Sequence, residues 1–177
     1  YRTSDAYDAL KYLRTLSYVD GKNIFLMGQS NGGSDAINVA KGDTPVKPAS
    51  VGEEGYRAVA AYYPWCGSFG GRKVELESPL MIFAGSDDDW TPASECEGVK
   101  STKANLEVKT YPGAAHSFDL NIIPQRYLGK MLGHHKEAAE DSRQRMVNFF
   151  VEHTVGVDWK KVRLSKAAGE LAANTQP

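Results

Sequence analysis

The sequence predicts an α/β fold with a mostly parallel sheet and helices on both faces. Short apolar runs of strand length alternate along the chain with segments of helical periodicity. Such alternation is typical of parallel sheets, whose right-handed crossovers place helices on both sides. The chain has 177 residues, enough to bury the core of a single domain.

The first third of the chain contains one predicted helix, one strand and a second helix. In 3–18, apolar residues recur every three or four positions, which is the period of a helix with one buried face. The run 23–28 is short and almost wholly apolar, as expected of a strand covered on both faces. Helical spacing resumes in 34–41, and 42–55 is rich in Gly, Pro and Ser, which predicts an exposed connection.

The remaining elements continue the alternation. Apolar runs at 57–63 and 80–84 predict two further buried strands, and 106–111 predicts a fourth with alternating character. Between the last two, 92–104 is predicted as a helix that carries proline near its first turn. A long helix is predicted over 134–153.

These elements predict one catalytic unit over 1–155, followed by a tail, 156–177, of weak periodicity. A polar insertion, 121–133, separates the fourth strand from the last helix. The sequence opens inside a helical pattern and without an initiator Met, so we expect that residue 1 is not the biological start.

The composition excludes several classes of partner. Hydrophobic residues make up 41% and charged residues 24%, and no apolar run approaches the roughly 20 residues of a membrane-spanning helix. The formal net charge is −1, from 21 basic and 22 acidic side chains, so no overall field attracts nucleic acid or anionic lipid. We therefore expect neither a nucleic-acid nor a membrane partner.

A Gly-x-Ser-x-Gly pattern centred on Ser30 lies between the first predicted strand and the helix that follows it. A chain that reverses so sharply forces the serine into a strained backbone conformation, so Gly28, Gly32 and Gly33 have a steric reason to be there. The backbone NH of Asn31, at the helix start, is placed to bind a developing oxyanion. The alternative is an ordinary turn in which the serine caps the helix.

Candidates for a general base and its acid follow in the order expected of one class of serine hydrolase. Asp87, Asp88 and Asp89 come directly after the third strand, so they emerge at the same sheet edge as Ser30. At least two of the three must be ordinary turn or capping residues. His116 lies in the loop after the fourth strand and is the natural base for the serine hydroxyl.

The other histidines and the two cysteines indicate no metal site. His134 and His135 are adjacent at a helix start and His153 is near a helix end, where solvated or capping roles are common. Cys66 and Cys96 are interpreted most simply as buried small apolar residues. As both follow predicted strands, a bridge between them is the alternative, and it would favour a periplasmic or secreted protein over a cytoplasmic one.

Aromatic residues gather in the loops of the predicted catalytic edge. From this group we expect Trp65, Trp90 and Phe118 to line a substrate pocket, although each could simply pack its loop. The group comprises Tyr63, Trp65, Phe69, Trp90 and Phe118.

From about residue 5 to residue 153 the sequence resembles the dienelactone hydrolase family of α/β-hydrolases. The resemblance rests on the Gly-x-Ser-x-Gly-Gly turn, the Gly-x-x-Asp-x-x-x-Pro loop and the Pro-Gly-x-x-His-x-Phe loop. It implies an α/β-hydrolase fold and a triad of Ser30, Asp88 and His116, and it is the resemblance that selects Asp88 among the three aspartates. The members that give the family its name carry cysteine at the turn, so Ser30 implies the serine esterase branch.

The resemblance also implies further strands ahead of the serine turn, together with a loop that donates a second oxyanion NH. We therefore expect an N-terminal segment, or another chain, to complete the sheet.

The expected function is a serine hydrolase that cleaves a small-molecule carboxylic ester or lactone through an acyl-enzyme. We expect no metal and no organic cofactor. Alternatives are a serine peptidase or acyltransferase, because the same triad serves amides and other acceptors, and a non-catalytic hydrolase-like fragment.

Overall fold

A computed structural model describes residues 2–42, 47 and 55–159. In chain order the elements are α1 (Arg2–Thr15), β1 (Leu26–Gln29), α2 (Asn31–Lys41), β2 (Val59–Tyr62), β3 (Lys73–Val74), β4 (Leu80–Gly85), β5 (Lys100–Ser101), β6 (Leu106–Tyr111), β7 (Gln125–Tyr127), β8 (Lys130–Leu132) and α3 (Lys136–His153). Short 3-10 turns add Cys66–Phe69 and Ala93–Glu95.

Four strands form the central sheet, in the spatial order β1-β2-β4-β6, and every neighbouring pair is parallel. Within the described residues, β1 and β6 are the two edges. Because all four strands run the same way, the loops that follow them emerge at one edge of the sheet. These loops carry the predicted site.

Alternate side chains of the central strands pack in two separate hydrophobic cores, one on each face of the sheet. One core packs α1 and α2 against the sheet and includes Tyr7, Leu10, Ile37, Val59, Ala61, Leu80 and Ile82. The other includes Ala58, Ala60, Tyr62, Met81, Phe83, Ala138 and Phe149, the last two from α3. The helices thus cover both faces, and the predicted α/β architecture with a parallel four-stranded sheet is confirmed.

β2 and β4 are buried along their whole length. A strand with helices on both faces has no solvated side, which is why these segments are apolar throughout instead of alternating. The four predicted strands and the helices predicted over 3–18, 34–41 and 134–153 are present, with ends that differ from the predicted ends by a few residues.

The prediction of a helix over 92–104 is wrong. After Pro92 the chain makes one 3-10 turn, Ala93–Glu95, and then the two-residue strand β5, which pairs with β3. Gly98, at a φ of 76°, interrupts any helix in this segment. Most of the predicted connection 42–55 lies outside the described residues, as does most of the tail 156–177.

Cys66 and Cys96 form a disulfide that joins the turn after β2 to the turn before β5, so the simpler interpretation as two free thiols is wrong. Both residues are buried.

No helix within the described residues combines the length and the apolar character that crossing a bilayer requires.

Candidate active site

Ser30 occupies a strained turn between β1 and α2. Its φ of 53° and ψ of −119° lie in a region that residues with a side chain rarely adopt. The turn is held by the Ser30 NH, which donates to the Tyr62 carbonyl at 3.0 Å. The hydroxyl is thereby presented above the end of the sheet, next to the first turn of α2.

The structure leaves no room for a side chain at two of the three glycines for which a steric reason was predicted. A Cβ at Gly28 would lie 2.1 Å from the Gly32 carbonyl oxygen, and one at Gly33 would lie 2.8 Å from the Tyr62 carbonyl oxygen. Gly32 is different, because a Cβ there would meet nothing within 4 Å. The steric reason predicted for Gly32 is therefore wrong. The backbone of Gly32 is instead the part of the turn that Gly28 approaches closely.

Asp88 is buried, with 3% of its surface exposed, and its carboxylate is fully engaged. Oδ1 accepts the backbone NH groups of Trp90 and Thr91, at 2.9 and 3.0 Å. Oδ2 accepts the Thr91 hydroxyl at 2.9 Å and lies 2.8 Å from Nδ1 of His116. A buried carboxylate is tolerable only with such partners, and they fix its orientation towards the histidine.

The loops that carry Asp88 and His116 are joined along their backbones. The Ser86 NH donates to the Tyr111 carbonyl at 2.9 Å, and the Asp87 NH donates to the Ala114 carbonyl at 3.0 Å. The approach is so close that a Cβ at Gly85 would lie 2.1 Å from the Ala114 oxygen. Glycine at this position is what allows the two loops to meet.

His116 connects the other two side chains. Its Nε2 lies 2.9 Å from Ser30 Oγ, and its Nδ1 lies 2.8 Å from Asp88 Oδ2. The imidazole is 4% exposed, so water competes little for either nitrogen. The structure thus brings together all three side chains, from loops after β1, β4 and β6, in one hydrogen-bonded series.

The two neighbouring aspartates have other roles. Asp87 is exposed and accepts the Ser86 hydroxyl at 2.7 Å. Asp89 accepts the Met131 backbone NH at 2.9 Å through Oδ1, and its carbonyl accepts Lys130 Nζ at 2.5 Å. Asp87 therefore belongs to a local turn, whereas Asp89 anchors β8.

Aromatic rings surround the imidazole of His116. The Tyr63 ring centre lies 4.6 Å from that of His116, and the Trp90 ring stacks at 5.5 Å. Burial, reinforced by the negative charge of Asp119, raises the pKa of the Tyr63 hydroxyl far above its ordinary value. This hydroxyl therefore stays protonated and acts as a donor.

The three predicted pocket residues separate into two groups. Trp65 and Trp90 are 53% and 37% exposed, so a substrate can reach both. Phe118 is 0% exposed and packs in the core against Tyr62 and Tyr111, so its predicted place in the pocket is wrong.

The hairpin of β7 and β8 lies beside the site, within the insertion noted in the sequence. Tyr127 stacks on Trp90 with ring centres 6.3 Å apart. The Gly133 NH donates to the His116 carbonyl at 3.0 Å, which ties the end of the hairpin to the histidine loop. Leu128, exposed at the hairpin tip, has a positive φ of 50°.

The remaining histidines have local structural roles. His135 Nδ1 accepts the Ala138 NH at the start of α3, while His134 Nδ1 lies 3.1 Å from the Leu120 carbonyl and His153 Nδ1 lies 2.8 Å from that of Phe149. Within the described part of the chain, no three His, Cys, Asp or Glu side chains are grouped as a metal site would require.

Sequence reasoning missed two polar residues of the site. Thr91 lies within the Gly-x-x-Asp-x-x-x-Pro loop, and its position three after Asp88 was the available signal. Asp119 accepts hydrogen bonds from Tyr63 and Gln29, which are 56 and 90 residues away. No local pattern could have indicated such distant partners.

Comparisons with known proteins identify similar sequences and folds. The model of the dienelactone hydrolase family matches residues 2–154. Among curated proteins, a Yersinia pestis protein named "Putative carboxymethylenebutenolidase" is 29% identical over 86 residues, which make up 46% of this chain and 29% of that protein.

Solved structures share the fold at low sequence identity. The "Putative Dienelactone Hydrolase" of Klebsiella pneumoniae subsp. pneumoniae MGH 78578 has a TM-score of 0.59 and 20% identity, over 83% of this chain and 59% of that one. The apo form of Thermogutta terrifontis esterase 2 has a TM-score of 0.57 and 19% identity, over 85% of this chain and 64% of that one. The chain thus spans less than two thirds of the length of either structure, and less than a third of the Yersinia protein.

Proposed function

Because the chain belongs to the dienelactone hydrolase family, we propose that it is a serine hydrolase that cleaves a carboxylic ester or lactone through Ser30, His116 and Asp88. The observation that carries the proposal is the hydrogen-bonded series from Ser30 Oγ to His116 at 2.9 Å and on to Asp88 at 2.8 Å. This is the arrangement by which a weakly nucleophilic hydroxyl is activated.

In the proposed mechanism, His116 carries its proton on Nδ1, donates it to Asp88 in a hydrogen bond, and accepts the Ser30 proton on Nε2. Ser30 Oγ then attacks the carbonyl carbon of the substrate, and Asp88 stabilises the imidazolium that forms. The imidazolium returns its proton to the leaving alkoxide. Water, deprotonated by His116 in turn, releases the acid and regenerates the Ser30 hydroxyl.

The backbone NH of Asn31 is the proposed oxyanion donor. Asn31 is the first residue of α2, so its NH is among the amides that have no acceptor within the helix. The positive end of the helix dipole favours the negative charge that develops on the carbonyl oxygen. We propose that a second donor, and further strands beside β1, come from an N-terminal segment or another chain.

The proposed substrate contacts are Trp65 and Trp90. Both rings are exposed in the loops after β2 and β4, and Trp90 also stacks on the base. Exposed indole rings bind apolar or planar groups, so we propose that the substrate is a small ester or lactone with an apolar portion. The name of the Yersinia relative, a carboxymethylenebutenolidase, agrees with a lactone.

The proposed catalytic unit corresponds to residues 1–155, since α3 ends at His153, and 156–177 is the proposed tail. The Cys66–Cys96 disulfide favours maturation in an oxidising compartment, periplasmic or secreted. Thiol titration of the native protein should find no free thiol before reduction and two afterwards.

Substrate profiling of the full-length protein that carries this chain tests the function. Short acyl nitrophenyl esters and lactones should be hydrolysed at least about 10³-fold faster by the wild type than by Ser30→Ala. Faster cleavage of a peptide amide with the same acyl group would identify a peptidase, and transfer to an added alcohol in preference to water would identify an acyltransferase. Equal rates in wild type and Ser30→Ala would contradict the proposal.

A further inference from the structure

Asp119 joins three loops of the site through its two carboxylate oxygens. Oδ1 accepts the Tyr63 hydroxyl at 2.7 Å, and Oδ2 accepts the side-chain amide of Gln29 at 2.5 Å. Asp119 itself follows the proposed base by three residues. It touches neither reacting side chain, yet each of its contacts is next to one.

Each partner of Asp119 lies beside the nucleophile or the base. Gln29 is the last residue of β1 and directly precedes Ser30. The Tyr63 ring packs on His116 with centres 4.6 Å apart, and the Tyr63 carbonyl lies 3.0 Å from the Thr91 hydroxyl. A single carboxylate therefore connects the serine turn, the ring that supports the imidazole, and the histidine loop.

The backbone is strained at three positions in or beside these contacts. Ser30, Tyr63 and Ser117 all have positive φ angles, of 53°, 37° and 61°. Residues with side chains stay in that region only when surrounding contacts hold them there. The hydrogen bonds to Asp119 link Tyr63 to Gln29, the residue that precedes Ser30, and Asp119 itself lies two residues after Ser117.

We propose that Asp119 is a positioning residue that holds Ser30 Oγ and His116 Nε2 at hydrogen-bonding distance. The inference rests on the proposed function, because it assigns Asp119 a role in the reaction of Ser30. Without the carboxylate, the Tyr63 hydroxyl loses its acceptor in a buried site and the serine and histidine loops separate. A misplacement of about 1 Å between reacting groups costs on the order of 10²-fold in rate.

Steady-state kinetics of Asp119→Ala in the full-length protein is the first test. We expect kcat to fall about 10- to 100-fold while KM stays within about twofold, because the substrate contacts are untouched. Asp119→Asn should retain most of the activity, since its oxygen still accepts from Tyr63 and the Gln29 amide can rotate to accept from its nitrogen. Loss of activity in both variants to the same degree would overturn the proposal.

A matched control separates positioning from stability. Asp141, on α3, accepts the hydroxyl of the buried Tyr111 at 2.9 Å, the same kind of bond as that between Tyr63 and Asp119. Asp141→Ala should lower the melting temperature to a degree comparable with Asp119→Ala but leave kcat within about twofold. An equal loss of kcat in the two variants would assign both carboxylates a merely structural role and overturn the proposal.

The structure of Asp119→Ala provides a test that does not need catalysis. We expect the separation of Ser30 Oγ from His116 Nε2 to increase from 2.9 Å to beyond hydrogen-bonding reach. An unchanged separation would overturn the positioning role. If the wild type hydrolyses no ester, the proposed function fails, and the positioning role is still decided by this distance.

Discussion

At the residue scale, the central feature is a carboxylate that the fold buries and then fully pairs. Asp88 is 3% exposed and accepts two backbone NH groups, a hydroxyl and the imidazole of His116. A buried negative charge is costly unless it is paired and hydrogen-bonded, and here the pairing also orients the ring towards Ser30. Its neighbours Asp87 and Asp89 are hydrogen-bonded to other residues, Asp87 to Ser86 and Asp89 to Lys130 and Met131.

Replacing Asp88 by asparagine tests whether the negative charge of this side chain, and not only its shape, is needed for the reaction. Asp88→Asn keeps the shape of the side chain but removes the charge that stabilises the imidazolium, and we expect kcat to fall on the order of 10³- to 10⁴-fold. The measurement is the rate of ester hydrolysis. Asp87→Asn is the matched control and should retain a rate close to that of the wild type. Similar losses in the two variants, or a larger loss in Asp87→Asn, would contradict the assignment of Asp88 as the acid.

A second prediction at this scale concerns alkaline pH. Burial, with the bond to Asp141, raises the pKa of the Tyr111 hydroxyl above its ordinary value of about 10. Above about pH 10 the unfolded chain therefore releases a proton that the folded protein retains, so the free energy of unfolding should fall as pH rises. Tyr111→Phe lacks this phenol and should show a shallower fall. Urea denaturation between pH 9 and pH 11 measures both curves, and parallel curves would refute the assignment.

Sequence reasoning found the residues of the site that sit in local patterns and missed those that depend on distant partners. Ser30 and His116 follow strands in recognisable loops, and the choice of Asp88 came from a family motif. Asp119 has no local signal because its partners come from other strands. The prediction that Phe118 lines the pocket is wrong for a related reason, because a place in a loop does not determine the direction in which a ring points.

At the scale of elements, the turn between β1 and α2 is set by close backbone approach. The chain folds back so tightly that a side chain at Gly28 would overlap the Gly32 carbonyl. The strained Ser30 conformation depends on this approach. The geometry of the nucleophile is therefore a property of the whole turn and not of one residue.

Two alanine substitutions test this directly. Gly28→Ala should destabilise the fold by roughly 3 kcal/mol, because its Cβ would meet backbone that cannot move freely. Gly32→Ala places its Cβ in open space at the start of α2 and should leave stability unchanged or slightly raised. Thermal unfolding measures both. Equal effects in the two variants would contradict the described turn.

Elements with a clear local pattern, apolar throughout or periodic, could be predicted, whereas elements made by tertiary contact could not. The buried strands β2 and β4 were evident as apolar runs. The helix predicted over 92–104 is absent because the Cys66–Cys96 bridge and the pairing of β3 with β5 hold that segment in another conformation. Propensity is a weak guide where such contacts compete with it.

At the scale of the whole molecule, parallel topology explains why the three loops converge. β1, β4 and β6 run in the same direction, so the turns that follow them meet at one edge of the sheet. The convergence of these loops at one edge could be predicted from the alternation of strands and helices alone. The spatial order of the strands and the disulfide required the structure.

The disulfide should contribute to global stability. It closes a loop of 30 residues between the segments after β2 and before β5, and such a link restricts the unfolded chain. Replacing both cysteines by alanine should lower the free energy of unfolding by about 2–4 kcal/mol. Urea denaturation with and without reductant measures the effect. The double variant, as the control, should not respond to reductant, and a wild type equally indifferent to reductant would contradict the bridge.

The central claim is that one serine is made nucleophilic by one histidine. The most direct measurement is labelling of the full-length protein with a fluorophosphonate, read by mass spectrometry of its peptides. We expect a single adduct on Ser30, absent in Ser30→Ala and formed at least about 10²-fold more slowly in His116→Ala. A wild-type protein that carries no adduct, or that carries it on another serine, would contradict the account.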